Sequence, residues 1–288
     1  MPFSPLLTFV QDACNYNPAD DLIPFVAEGS LLGWVTRGFA EQLGNWPEIF
    51  SVRPRGVTLS SELGDVDQRS LALAEVIEAL ATSGTIKGWR NEQISVGDSF
   101  YADPILHVER AAARYFGFMV FASHCTGHTV ADGMPMIWLA RRAKTKDIDP
   151  GKLDNLVGGR ISRGMSATET LYKEAWEEAG IPKDTAKAAR AAGALRVCRK
   201  IPEGVHREII FVHDLYLGQE FRPENQDGEV ERFYCVTPED ALARVERMTT
   251  GGDFTVEAAI VMLNFLVRRG FYSPERADYV DLLRAMTP

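Results

Sequence analysis

Apolar residues recur along the chain with two periods, one typical of helices and one typical of strands. Residues 67–84 predict an amphipathic helix followed by a glycine stop, with four apolar side chains on one face: Leu73, Val76, Ile77 and Leu80. Residues 118–143 are rich in strand formers and carry a turn signal at Asp132 and Gly133. A second hairpin is predicted in residues 189–217, with its turn at Pro202 and Gly204.

Helices and strands alternate along the whole sequence, and the hairpins imply a mixed sheet. The pattern predicts an α/β (α+β) protein of two domains, which is the number that 288 residues favour. We expect a mixed α/β accessory domain over residues 1–112 and a second α/β domain with C-terminal helices over residues 113–288.

Charge, hydrophobic runs and cysteine spacing argue against several classes of function. The formal net charge of -9 argues against a general nucleic-acid binder, because binding to the phosphate backbone needs a basic surface. No apolar run approaches the roughly 20 residues that span a bilayer, and the N-terminus does not resemble a signal peptide. The four cysteines form no CxxC motif and are expected to be reduced thiols of a cytoplasmic protein.

The strongest chemical signal is an acidic helix behind a pair of glycines, Gly158 and Gly159. Ser166 is a suitable N-cap, Glu169 completes a capping box, and Gly180 is placed to end the helix. At 100° per residue, three glutamates fall within a narrow arc on one side: Glu174, Glu177 and Glu178.

These three carboxylates repel one another and weaken an isolated helix. Cations of the magnesium type prefer several carboxylate oxygens at one point, usually with phosphate oxygens supplied by a substrate. A bound Mg²⁺ or Mn²⁺ ion would therefore relieve the repulsion, and the sequence predicts a metal site here.

The segment resembles the Nudix box, whose family pattern is G-x5-E-x7-R-E-U-x-E-E-x-G-U, where U is a bulky apolar residue. The first glycine falls on Gly159, and the remaining matches are Glu174, Glu177, Glu178, Gly180 and Ile181. Met165 replaces the first glutamate, Lys173 replaces the arginine, and the small Ala175 stands at the first U position. In the family, the replaced residues mostly support the loop and the helix, whereas the three retained glutamates hold the metal.

The resemblance implies a Nudix α/β/α sandwich with a mixed sheet in residues 113–288. It implies Glu174, Glu177 and Glu178 as metal ligands, and a catalytic role for Glu177 and Glu178. Its motif glycines are Gly158, Gly159 and Gly180.

Two further motifs, GWRNE in residues 88–92 and ERAAARYFG in residues 109–117, resemble the thiamine-pyrophosphokinase-related Nudix subfamily. That resemblance implies hydrolysis of the diphosphates of damaged thiamine, such as oxothiamine or oxythiamine, to the monophosphate and phosphate. A pyrophosphatase acting on nucleoside diphosphate derivatives such as ADP-ribose or NADH is the alternative. A relative of isopentenyl diphosphate isomerase is disfavoured because no cysteine lies in the strand before the box, and intact carboxylates argue against a non-catalytic scaffold.

Residues outside the box complete the predicted site. Glu229 is the first candidate for the carboxylate that takes a proton from water, and Glu231 is the second. Four cations before the box are candidates for binding the phosphates: Arg141, Arg142, Lys144 and Lys146. Trp89 and Arg90 are candidates for stacking on a heteroaromatic ring. The predicted partner is a small-molecule diphosphate, with no nucleic acid or membrane, and a homodimer is allowed.

Overall fold

The computed structural model describes residues 4–287. Its N-terminal half contains the following helices and strands in chain order: α1 (Pro5–Cys14), β1 (Ile23–Ala27), β2 (Ser30–Val35), α2 (Arg37–Leu43), β3 (Phe50–Arg53), β4 (Gly56–Leu59), α3 (Val66–Thr82), β5 (Gln93–Val96), β6 (Leu106–Glu109) and α4 (Ala113–Phe116). The first four strands form one sheet in the order β2-β1-β4-β3, and β5 pairs with β6.

Helix α3 has the amphipathic face that the sequence predicts. Its buried side chains include the predicted stripe of Leu73, Val76, Ile77 and Leu80. They join a core that extends to Phe118 and Val120. Within this core, the ring of Phe25 makes edge-to-face contacts with the rings of Phe116 and Phe118. The first core therefore continues a few residues past the predicted boundary at residue 112, and the division into two domains stays a prediction.

The C-terminal half contains one large mixed sheet and its covering helices. In chain order these are β7 (Met119–Ala131), β8 (Met134–Arg142), β9 (Leu153–Asn155), β10 (Val157–Arg160), α5 (Ala167–Ala179), α6 (Lys183–Ala186), β11 (Arg190–Ile201), β12 (Gly204–Tyr216), β13 (Val230–Val236), α7 (Pro238–Glu246), α8 (Val256–Arg268) and α9 (Tyr279–Met286). The strand order is β11-β12-β7-β8-β13, with β10 paired to β7 and β9 to β8. Strands β12 and β7 are parallel, whereas β7 and β8 are antiparallel.

Alternating residues send side chains to the two faces of this sheet, and helices cover both. Cys125 of β7 packs with α5 on one face, while Ala122 of the same strand packs with α8 on the other. The predicted α/β/α sandwich with a mixed sheet is therefore confirmed. Helix α1 packs into this second core through Val10 and Ala13, so the first residues of the chain join the C-terminal half.

The state of the four cysteines and the length of the helices can be read directly from the structure. Cys14, Cys125, Cys198 and Cys235 are free thiols. Within residues 4–287, no helix has the length and apolar character that crossing a membrane requires.

Candidate active site

The acidic helix α5 begins and ends where the sequence predicts. The Ser166 Oγ accepts a hydrogen bond from the Glu169 amide at 3.1 Å, and the Glu169 carboxylate accepts one from the Ser166 amide at 2.9 Å. This reciprocal capping box is confirmed. Gly180 ends the helix with φ +64°, a left-handed conformation that favours glycine. These local contacts fix where the helix begins and ends.

The paired glycines of β10 bring backbone and carboxylates into direct contact. The Gly158 amide donates a hydrogen bond of 2.8 Å to Oε2 of Glu178, which is buried. At Gly159 an added Cβ would overlap the Glu174 carboxylate and lie 2.6 Å from its Oε1. Glycine at this position therefore allows Glu174 to lie directly against the strand.

The three glutamates form an electrostatically costly cluster. Burial raises the pKa of Glu178 well above its usual value, and the nearby carboxylates of Glu174 and Asp154 raise it further. Burial also raises the pKa of Glu174, although Lys173 opposes the shift. The Lys173 ammonium lies 3.1 Å from Glu174 Oε1 and 2.6 Å from Glu177 Oε2, so a cationic group already bridges two of the carboxylates.

These residues fit a divalent cation. The donors are carboxylate oxygens, which Mg²⁺ and Mn²⁺ prefer, and the raised pKa values of Glu174 and Glu178 mean that nearby positive charge would stabilise their ionised forms. The Gly159 position leaves the space that the Glu174 carboxylate needs beside the strand.

The repulsion within the cluster predicts a pH dependence of stability without metal. Because the pKa of Glu178 is raised on folding, its charge destabilises the folded state above that pKa, and the cost disappears as pH falls towards the ordinary value of 4.5. We expect Glu178→Gln to be more stable than wild type at pH 8 in EDTA, with the difference shrinking towards pH 5. Urea unfolding at several pH values measures this difference. A difference that is constant with pH would contradict the raised pKa.

A cavity of about 620 Å³ opens beside the acidic helix, between the two halves of the chain. It has the size of a typical small-molecule site. Eight of the predicted residues line it: Arg90, Arg142, Lys146, Gly158, Gly159, Glu174, Glu177 and Glu229. Glu178 lies behind its wall, bonded to the Gly158 amide.

The predicted cations in the cavity are held by acids. Arg142 donates to Asp154 at 2.9 Å and to the Ile148 carbonyl at 3.0 Å. The Lys146 ammonium contacts Glu229. Although burial raises the pKa of the Glu229 carboxyl, Lys146 and other cations lower it overall, so Glu229 is ionised.

Besides Glu178 and Gly180, four predicted residues lie outside the lining of the cavity. Arg141 and Arg142 are neighbours on β8 and therefore point to opposite faces, and Arg141 donates to the Tyr234 hydroxyl at 2.9 Å and to the Gly151 carbonyl at 2.6 Å. Lys144 and Glu231 are exposed. Trp89 is 39% exposed, and its Nε1 donates to the Asn91 side chain at 2.8 Å.

The two N-terminal motifs form one unit at the edge of the cavity, which the sequence did not reveal. The buried Glu109 carboxylate accepts hydrogen bonds from the amides of Arg90 and Glu92, each at 3.0 Å, and from that of Ala111 at 3.2 Å. Arg90 then forms a 2.9 Å ion pair with Asp147 of the C-terminal half. Glu109 thus fixes the loop that carries Arg90 towards the box.

Removing this carboxylate is expected to destabilise the protein. Glu109→Ala would leave three amides without their acceptor, and an unsatisfied buried donor costs about 1–3 kcal/mol. We expect the free energy of unfolding to fall by about 2 kcal/mol or more in urea titrations. The matched control is Glu75→Ala on an exposed position of α3, which should change it by less than about 0.5 kcal/mol. Equal effects of the two changes would contradict the role of Glu109.

Asp154 and Asp227 also belong to the site but were absent from the predicted set. Asp154 lies on β9, lines the cavity and raises the pKa of Glu178, and Asp227 lines the same cavity near Glu229. The acid-rich segment DGEVERF was a signal for Asp227, whereas no spacing in the sequence connects Asp154 to the box.

Comparison with known proteins finds two family matches along the chain. Residues 126–254 match the model of the NUDIX domain, and residues 6–120 match a domain of unknown function, DUF4743. Nudix hydrolase 24, chloroplastic, of Arabidopsis thaliana is 38% identical over 279 residues, which cover 96% of this chain and 76% of the relative. Nudix hydrolase 20, chloroplastic, of the same plant is 36% identical over 275 residues, which cover 92% of this chain and 73% of the relative.

Among solved structures, DR0079 from Deinococcus radiodurans is similar over 63% of this chain and 100% of its own, with 22% identity and a TM-score of 0.46. The curated relatives and the domain match place the chain in a class of hydrolases that cleave pyrophosphate linkages. The chain belongs to the Nudix hydrolase family and carries a DUF4743 domain before its NUDIX domain.

Proposed function

We propose that this Nudix hydrolase uses a divalent cation, Mg²⁺ or Mn²⁺, held by Glu174, Glu177 and Glu178 to hydrolyse the diphosphates of damaged thiamine. The products are the thiamine-analogue monophosphate and phosphate. The observation that carries the proposal is the contact of Glu174 and Glu178 with the Gly158–Gly159 strand, with Glu177 lining the adjacent cavity of small-molecule size.

The bound cation would neutralise phosphate charge and lower the pKa of a coordinated water. Glu174 and Glu177 face the cavity, and Glu178 is held in place by the Gly158 amide. Arg142 and Lys146 present positive charge to the phosphates from the cavity wall. Asp154 and Glu229 hold these two side chains in position before substrate arrives. Less side-chain entropy is therefore lost when the substrate binds.

Glu229 takes the proton of the attacking water in this proposal, because its ionised carboxylate lines the cavity. Glu231, the second candidate, is exposed and outside the lining, and is less suited to the role. Asp227 is the acid to compare with Glu229, since it lines the same wall and burial raises its pKa, which makes it a stronger base.

The substrate class rests on the resemblance of the N-terminal motifs, and the position of Arg90 at the cavity supports a role for that domain in selectivity. A phosphate-release screen with Mg²⁺ over oxothiamine, oxythiamine and thiamine diphosphates, ADP-ribose and NADH tests it. ADP-ribose and NADH yield two monophosphates and no free phosphate. A phosphatase is therefore added after the reaction in those two assays only. We expect the oxothiamine or oxythiamine diphosphate to have the highest kcat/KM. Faster cleavage of ADP-ribose or NADH would favour the nucleotide-derivative alternative.

The cellular compartment of this chain is a separate part of the proposal. The names of both plant proteins include the word chloroplastic. For this chain a cytoplasmic location is part of the proposal, and separation of cell fractions followed by immunodetection of the protein tests it.

A further inference from the structure

A second group of charged residues lies in the same cavity, away from the three glutamates of the Nudix box. We call it the inner cluster; it comprises Arg160, Arg199, His206, Glu208 and Glu257. His206 Nε2 lies 3.0 Å from Glu208 Oε2 and 3.4 Å from Glu257 Oε1. Arg199 donates to the same Glu257 oxygen at 3.1 Å. Arg160 occupies a variable position of the box, and the other four residues belong to no motif that the sequence singled out.

The sheet places the inner cluster beside the box. Arg160 directly follows Gly159 on β10, where it is opposite Ala122 of β7, and Ala122 is opposite Ile210 of β12. Glu208 is two residues before Ile210 and shares its face, so Arg160 reaches across β7 to bring its Nε 3.7 Å from Glu208 Oε1. Two strand spacings, about 10 Å, therefore separate the strand of the box from the strand of Glu208.

The surroundings of the inner cluster do not favour a second metal ion. The three ligand types lie close enough together for one. However, Glu257 already accepts from the Arg199 guanidinium, and Glu208 lies beside that of Arg160. A divalent cation would be repelled by these two partly buried charges, whereas in the box the half-exposed Lys173 bridges Glu174 and Glu177.

The chemistry of the inner cluster favours a ligand that donates hydrogen bonds. Glu208 is 3% exposed, and among the side chains of residues 4–287 its Oε1 has no hydrogen-bond donor. An ionised carboxylate only accepts hydrogen bonds. The cations and His206 hold the pKa of Glu208 below its ordinary value despite burial, and that of Glu257 at about 2.

The cavity offers little surface for stacking on a ring. Tyr115 is the one tyrosine, phenylalanine or tryptophan side chain among the described residues that line it. Polar groups at the edge of a ring are therefore important for its recognition, because a missing partner for a buried acceptor is costly.

We propose that the inner cluster binds the non-phosphate end of the substrate, and that this end is a nitrogen heterocycle with an N–H donor, either a ring N–H or an exocyclic amino group. The inference rests on the proposed function, because it takes the box to hold the diphosphate. Glu208 Oε1 accepts the donor, and His206, which also contacts Glu257, holds the other oxygen of the Glu208 carboxylate.

The test compares Glu208→Gln with wild type on two diphosphates, oxothiamine diphosphate, which carries an aminopyrimidine, and butyl diphosphate, which has no ring. We expect KM for oxothiamine diphosphate to rise about 10-fold or more, with kcat within about twofold. For butyl diphosphate both constants should stay within about twofold of wild type. The matched control is Asp214→Asn, because Asp214 is a buried carboxylate of the same strand that pairs with Arg268 and lies outside the cavity lining. It should change neither substrate's KM.

Equal losses on both substrates, a change in the Mg²⁺ requirement, or no change on either would overturn the inference. Calorimetric binding of both diphosphates with Mg²⁺ in a Glu178→Gln background provides a measurement without turnover. If wild type hydrolyses neither compound but Glu208→Gln still weakens only oxothiamine diphosphate binding, the proposed function fails and the inner cluster stands. If wild type hydrolyses both and Glu208→Gln does not discriminate, the inner cluster fails and the proposed function stands.

Discussion

Glu177→Gln and Glu178→Gln are each expected to lower kcat by about 100-fold or more while the fold survives. Loss of a metal-binding carboxylate removes charge stabilisation from the transition state. Glutamine keeps the size of glutamate, and its side-chain oxygen can still accept the hydrogen bond that the Gly158 amide donates to Glu178. Steady-state phosphate release under saturating substrate measures the effect, and circular dichroism checks the fold.

Glu231→Gln is the matched control for these two changes. Glu231 is also a glutamate of the C-terminal half, but it is exposed and outside the cavity lining. Its substitution should leave kcat within about twofold of wild type. Near-normal turnover by both box variants would contradict the assignment of the metal ligands, and a large loss in Glu231→Gln would return that residue to the site.

Gly159→Ala is expected to lower kcat by about 10-fold or more with little loss of stability. The added methyl group overlaps the end of the Glu174 side chain, which is flexible and can move away. The substitution is therefore expected to displace the Glu174 carboxylate rather than to unfold the protein. A displacement of about 1 Å at a catalytic site can lower the rate by about 100-fold. Kinetics and thermal unfolding of the same preparation separate the two effects.

Gly218→Ala provides the comparison, because a Cβ at Gly218 meets no atom within 4 Å and its φ is not in the left-handed region. It should change neither kcat nor the melting temperature appreciably. Equal activity of the two glycine variants would show that contact between Gly159 and Glu174 does not matter for catalysis.

Local signals in the sequence predicted the acidic helix and its caps correctly. Ser166, Glu169 and Gly180 act within one or two turns, so their spacing alone determines where α5 begins and ends. The same holds for α3, whose buried stripe follows from helical periodicity. The retained carboxylates of the box were predictable because one helix carries all three.

The parts that were missed depend on pairing between distant segments. Arg141 and Arg142 were treated alike because they flank a loop, but β8 continues through both and separates them to opposite faces. The inner cluster combines residues from β10, β11, β12 and α8, whose adjacency is set by the register of the sheet. Trp89 was a candidate for stacking on a ring of the substrate. Glu109 holds the amides of Arg90 and Glu92, and in the resulting loop Arg90 lines the cavity whereas Trp89 does not.

The central claim is that the glutamates of α5 hold a cation that this protein needs to cleave a diphosphate. Phosphate release from oxothiamine diphosphate, measured against Mg²⁺ concentration for wild type and Glu178→Gln, tests it most directly. We predict that release by wild type rises with Mg²⁺ to saturation and is abolished by EDTA, and that Glu178→Gln stays about 100-fold slower at every concentration. Release that is independent of Mg²⁺, or is equally fast in the two proteins, would contradict the claim.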